Sequence, residues 1–134
     1  MNEICFYDKN RKLMLCLKPV TERVDVVVLQ LSLVVSIYKA NMEVCLKCEA
    51  IRRWISGMEK FYDGYTNLAV LESSTLTIRF EAETECGNIK ATILISEASN
   101  YGMLELTYYC DYTFLPELIR NWQMLVARSG QSES

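Results

Sequence analysis

The chain predicts an α+β domain built on a mostly antiparallel sheet, and three observations carry that expectation. Several segments alternate apolar with polar residues, the period of a half-buried strand. Two others repeat apolar residues every three or four positions, the period of an amphipathic helix. The strand segments also fall into two blocks, each followed by one helix. The expected architecture is a sheet of six or seven strands with both helices packed on one face, because an apolar sheet face must be covered.

The first block opens on a short hairpin. Residues 4–7 and 13–18 are its strands, "DKNR" is its turn, and Leu13, Leu15 and Leu17 point one way. A long strand over residues 24–39 follows, in which Leu29, Leu31, Leu33, Val35 and Ile37 share a face. Its apolar core is shorter than the ~18 residues that a membrane helix needs, and it contains Gln30, Ser32 and Ser36. The period then changes. In "EAIRRWISGMEKFYDG" a stripe of Ile51, Trp54, Ile55, Met58, Phe61 and Tyr62 marks a helix, and Gly64 stands where its C-cap is expected. No strong capping residue fixes its start, which falls between Asn41 and Glu49.

Four strands make the second block: residues 67–72, 75–84, 87–98 and 102–111. Leu76, Ile78, Phe80 and Ala82 share one face, as do Ile89, Ala91, Ile93 and Ile95, and "ECGN" joins those two strands as a hairpin. In "DYTFLPELIRNWQMLV" the stripe is Leu115, Leu118, Ile119, Trp122, Leu125 and Val126, with Thr113 as N-cap and Pro116 in the first turn. A stripe that wide would be an aggregation hazard if exposed, so the helix is expected to be a lid on the sheet and not a docking surface. Residues 1–128 read as one domain and residues 129–134 as a flexible tail.

Composition narrows function. The formal charge is −3 and the sequence pI is near 5.0, which argues against a nucleic-acid ligand and for a basic protein partner. "MNEICFYDKNRKLM" lacks the apolar run of a signal peptide, so a cytoplasmic location is expected, with the six cysteines as reduced thiols and no membrane partner. The chain has no histidine, which removes the commonest general base and metal ligand. Neither an enzyme nor a cofactor is expected. "CLKC" has knuckle spacing at Cys45 and Cys48, but without a second such pair it reads as structural thiols. Cys5, Cys16, Cys86 and Cys110 lie on separate predicted strands and show no ligand spacing.

One charged pattern is sharper. Glu81, Glu83 and Glu85 alternate with Phe80, Ala82 and Thr84, so three carboxylates share the outer face of one strand. Glu97, Glu105 and Asp111 could widen that stripe into a surface that steers and holds a basic partner. The plainer alternative is a solvated face that discourages edge-to-edge aggregation.

The order of a long apolar strand, then "CLKCEAIRRWISGME", then alternating strands running into "DYTFLPELIRNW" resembles the small bacterial immunity proteins of the WapI type. Leu46, Glu49, Trp54, Ile55, Asp111, Leu115 and Ile119 carry the resemblance, which spans most of the chain. It implies a cytoplasmic protein that binds and neutralises a cognate polymorphic toxin domain, often a nuclease. No catalytic or toxin-binding residue is shared by that family, so none carries over. A small carboxylate- or thiol-dependent enzyme and a structural or chaperone subunit of a secretion or phage assembly stand as alternatives.

Overall fold

Four strands and a helix, then four strands and a helix again, make up the computed structural model, which describes residues 3–22, 25–35, 38–83, 87–96 and 103–131. The first unit holds β1 (Ile4–Tyr7), β2 (Leu13–Glu22), β3 (Val26–Val35), β4 (Tyr38–Lys47) and α1 (Cys48–Tyr62). The second holds β5 (Leu68–Glu72), β6 (Leu76–Glu83), β7 (Asn88–Ser96), β8 (Met103–Asp111) and, after a 3-10 turn at Tyr112–Phe114, α2 (Leu115–Gln131). Every strand pairs antiparallel with its sequence neighbour within its own unit.

The α+β class and the two helices are as the periodicity predicts. The sheet divides, however: there are two sheets of four strands, ordered β1-β2-β3-β4 and β5-β6-β7-β8, in place of one sheet of six or seven. Two causes account for this. The strand expected over residues 24–39 is really two, because Val35 pairs with Tyr38 and the chain runs back antiparallel as β4. In β4 the residues Met42, Val44 and Leu46 alternate with Asn41, Glu43 and Cys45, and its last residue, Lys47, leads straight into α1. The second cause is α1, which separates β4 from β5 so that hydrogen bonding between neighbours cannot continue across it.

The two units interlock. The helices pack on one another, α1 also lies along β5 of the second sheet, and α2 approaches β1 and β2 of the first. The inner faces of both sheets and the stripes of both helices form one buried cluster. Phe80 on β6 stands at its centre, with ring centroids 6.4 Å from Phe6 on β1, 5.2 Å from Trp54 and 6.4 Å from Phe61. Leu115, Leu118, Ile119, Trp122 and Leu125 are all buried, so α2 is a lid, as its stripe predicts. Burial also pushes the Cys110 thiol, at the inner end of β8, up to about 12, so that it packs as a neutral group.

Local chemistry sets the helix ends. Gly64 has φ +83°, and its N–H donates to the Phe61 carbonyl at 3.2 Å while that of Tyr65 donates to the Lys60 carbonyl at 2.9 Å. This crossed pair is the Schellman closure, which needs a left-handed residue and so favours glycine. The 3-10 turn takes the place of the Thr113 cap expected before α2, and Pro116 lies in the helix's first turn, where no N–H is required. Gly57 has no such excuse. It sits inside α1, and a Cβ added there would meet the Ala69 Cβ at 3.9 Å, an ordinary van der Waals distance. Gly57→Ala is expected to raise stability by about 0.5–1 kcal/mol by lowering the entropy of the unfolded chain, measured as a higher urea midpoint at unchanged slope.

Candidate functional site

Strand register decides which side chains share an outer face. On the second sheet the outward rows run Glu72, Thr77, Leu94, Glu105; then Val70, Arg79, Thr92, Thr107; then Leu68, Glu81, Lys90, Tyr109; and finally Glu83, Asn88, Asp111. Glu81, Glu83, Glu105 and Asp111 thus lie on one face, as the alternation predicts, whereas Glu85 and Glu97 lie outside the described residues. The stripe is not a bare row of carboxylates. Arg79 reaches Glu81 at 3.0 Å and Lys90 stands opposite Glu81 in register, so two cations dilute it. The face forms a shallow hollow of about 500 Å³ lined by Arg79, Glu81, Lys90, Thr92, Glu105 and Thr107. Five acids against two bases leave it anionic.

The first sheet has the opposite balance. Its outward rows are Cys5, Cys16, Ser32, Asn41; then Lys18, Gln30, Glu43; then Thr21, Val28, Cys45; then Val26 with Lys47, while Lys39 is exposed on the same side of β4. Lys18, Lys39 and Lys47 share the face with two acids, Glu43 and Glu3, the latter beside Cys16, and all five are exposed. Between them lie neutral hydrogen-bonding groups: Gln30 and Asn41, which bond to each other, and the Ser32 hydroxyl. From Lys39 to Lys47 the strand covers roughly 27 Å, at ~3.4 Å per residue. The β1–β2 turn carries Lys9, Arg11 and Lys12, all exposed, but it leans on the second sheet. The Lys9 N–H donates to the Tyr109 carbonyl at 2.8 Å, and Lys9 lines a hollow with Glu83, Asn88 and Tyr109. The turn's single acid, Asp8, is occupied in shaping it: its Oδ1 accepts the N–H of Asn10 at 2.8 Å and that of Lys12 at 2.9 Å, while Arg11 takes a left-handed φ of 65°. The charge of −3 therefore conceals a difference in balance between two sheet faces.

The thiols sort differently from their spacing. Cys45 is exposed on β4, whereas Cys48 is the first residue of α1 and is 1% exposed, so "CLKC" does not converge. Cys5 and Cys16 do converge, with sulfurs 3.3 Å apart across the β1–β2 ladder. The turn alone does not show this: counted out from the Tyr7–Leu13 pair it would set Cys5 opposite Leu15, and a register shift between Phe6 and Tyr7 brings Cys16 into that place. Proximity to Cys5 raises the Tyr7 phenol above its ordinary value. The five described cysteines carry free thiols, and Cys86 lies outside the described residues. Among the described residues, no helix is long and apolar enough to cross a membrane.

No protein-family model and no curated protein matches the sequence. Solved structures do resemble the fold. One, of the MRP1/MRP2 proteins of Trypanosoma brucei, has a TM-score of 0.53 at 15% identity and aligns over 97% of this chain and 86% of that one. Another, a guide-RNA-binding protein complex bound to a guide RNA, has a TM-score of 0.54 at 12% identity over 93% and 88% of the two chains. This likeness overturns the expectation of an immunity protein whose partner is a toxin and which takes no nucleic acid: the shared fold is one found in complex with RNA. The residues behind that expectation explain the error. Leu46, Trp54, Ile55, Leu115 and Ile119 are buried packing positions, Glu49 is in an exposed ion pair with Arg53, and Asp111 merely ends β8. They specify a core and say nothing of a partner. Net charge is no better a guide to a partner, because an average over the whole surface hides two faces of different balance.

Proposed function

We propose that this protein binds single-stranded nucleic acid, RNA in the first instance, along the outer face of its first sheet. The observation that carries the reading is the difference in charge between the two faces: Lys18, Lys39 and Lys47 outnumber Glu3 and Glu43 on the first sheet, whereas the second carries five acids against two bases. Spaced lysines supply phosphate contacts, and the Gln30, Asn41 and Ser32 groups between them can donate to or accept from bases and ribose hydroxyls. Further support comes from the fold shared with a guide-RNA-binding complex over nearly the whole chain. The strand-long row suits an extended single strand better than a duplex, whose phosphates follow a helix. This makes the protein a binding module and not an enzyme, a reading helped by the absence of histidine. A cytoplasmic setting is consistent with its free thiols.

Fluorescence anisotropy with a labelled single-stranded RNA oligonucleotide tests the proposal. With about four phosphate contacts, the affinity is expected to fall roughly 50-fold between about 50 and 200 mM salt, since each contact contributes a slope of about −0.7 on a log–log plot. Absence of binding at the lower salt, or binding that ignores salt, would overturn it.

A further inference from the structure

Cys5, Cys16 and Glu3 form a side-chain cluster at the edge of the first sheet that neither the core nor the lysine row requires. Cys5 and Cys16 are direct partners across β1 and β2, and both are half-buried. Their sulfurs are 3.3 Å apart, and the Cys16 thiol donates to Glu3 Oε2 at 3.2 Å. One ligand atom from each of the three residues lies within 4.8 Å of the other two. We propose that these three side chains bind a thiophilic divalent cation of the zinc class, with two thiolates and one carboxylate as protein ligands and a fourth position open to water.

The geometry is close to what such an ion requires. A tetrahedral zinc with bonds of about 2.3 Å to sulfur and about 2.1 Å to oxygen holds its two sulfurs ~3.8 Å apart and each sulfur ~3.6 Å from the oxygen. The two separations at Cys16 therefore need to open by only about half an ångström, and the third, from Cys5 to Glu3, lies within 4.8 Å. Side-chain rotation can supply these adjustments while the two strands stay fixed. The two cysteines are held by the β1–β2 ladder, so the sulfur pair is organised before an ion arrives. Glu3 is exposed, which puts the fourth position on the solvent side and gives the ion a route in. Thiolate ligands select zinc-class ions over magnesium and calcium, which prefer all-oxygen shells. Burial raises the Cys16 thiol above its ordinary value, so in the metal-free protein it is a neutral thiol hydrogen-bonded to Glu3. On binding, both thiols lose their protons to solvent as the two sulfur–metal bonds form, with no change in oxidation state.

The metal alone provides the test, so its outcome is independent of the nucleic-acid reading. The full chain, freed of metal and kept reduced with a phosphine, is titrated with Co²⁺. A saturable sulfur-to-cobalt charge-transfer absorption at one ion per chain is expected, and Zn²⁺ should displace it. Cys5→Ser and Cys16→Ser should each abolish the band, with circular dichroism confirming the fold. Cys45→Ser and Cys86→Ser should keep it. Glu3→Gln should weaken binding at least tenfold, since even groups that only orient a ligand are worth about 10–100-fold. The proposal fails if the wild-type chain gives no band, or if the band survives in the Cys5→Ser/Cys16→Ser double variant.

Discussion

Replacing either tryptophan with alanine is expected to lower the unfolding free energy by about 3–5 kcal/mol, the range for removing a large buried aromatic. Trp54 and Trp122 are both 0% exposed and meet edge to face with centroids 6.3 Å apart, so the pair joins α1 to α2. Trp54 also lies 5.2 Å from Phe80 and so ties the helices to the second sheet. Because the two rings share one cavity, the double variant should cost less than the sum of the single ones, by a coupling of about 0.5–1.5 kcal/mol. Neither indole Nε1 has a hydrogen-bond partner, although both are buried. Phenylalanine would keep most of the ring and remove an unpaired donor, so Trp54→Phe and Trp122→Phe should cost well under half of what alanine does. Urea denaturation at constant slope would measure each value. An alanine variant with an unshifted midpoint would show that the interlock of the two units does not depend on this pair.

That interlock was half legible in the sequence. Periods of two and of three to four residues were enough to find both helices, their buried stripes, the Gly64 cap and the grouping of strands into two blocks. They failed where punctuation is missing. Between Val35 and Tyr38 the sequence has no Gly, Pro, Asn or Asp, so the apolar alternation of "VVVLQLSLVVSIY" reads on as one strand. With β4 unrecognised, the first block lacked an edge, and a single sheet was the economical solution. Pairing only between neighbours, with a helix interposed, produces two sheets, and no local pattern encodes that outcome. The surface was less legible than the core for the same reason. Lys39 and Lys47 join Lys18 on one face only if residues 39–47 form a strand in register with β3. The acidic residues, by contrast, were visible because β6 alternates cleanly by itself, but Arg79, which shares their face by the same alternation, dilutes the stripe.

Reversing the three lysines, Lys18→Glu, Lys39→Glu and Lys47→Glu together, is expected to weaken RNA binding about 100-fold at low salt. Each phosphate contact at an exposed site is worth on the order of 1 kcal/mol, and each reversal also adds a repulsion of similar sign along the row. The salt dependence should become shallower by about 2 on the log–log plot, because three contacts no longer release counterions. Folding should be nearly unaffected, since all three side chains are exposed and substitutions at such positions seldom exceed ~0.5 kcal/mol. A matched variant on the other sheet, Glu72→Lys with Glu105→Lys, controls for net charge. It makes the chain less acidic without touching the lysine row, so on this account its affinity should rise modestly through long-range attraction that disappears at high salt. The pair of results separates a located interface from a general charge effect. If the triple reversal binds as tightly as the parent while remaining folded, the nucleic acid does not lie on the first sheet. If the Glu72 and Glu105 substitutions instead raise affinity by far more than a modest factor, and do so at high salt as well, the ligand contacts the hollow of the second sheet, where Arg79 and Lys90 already stand.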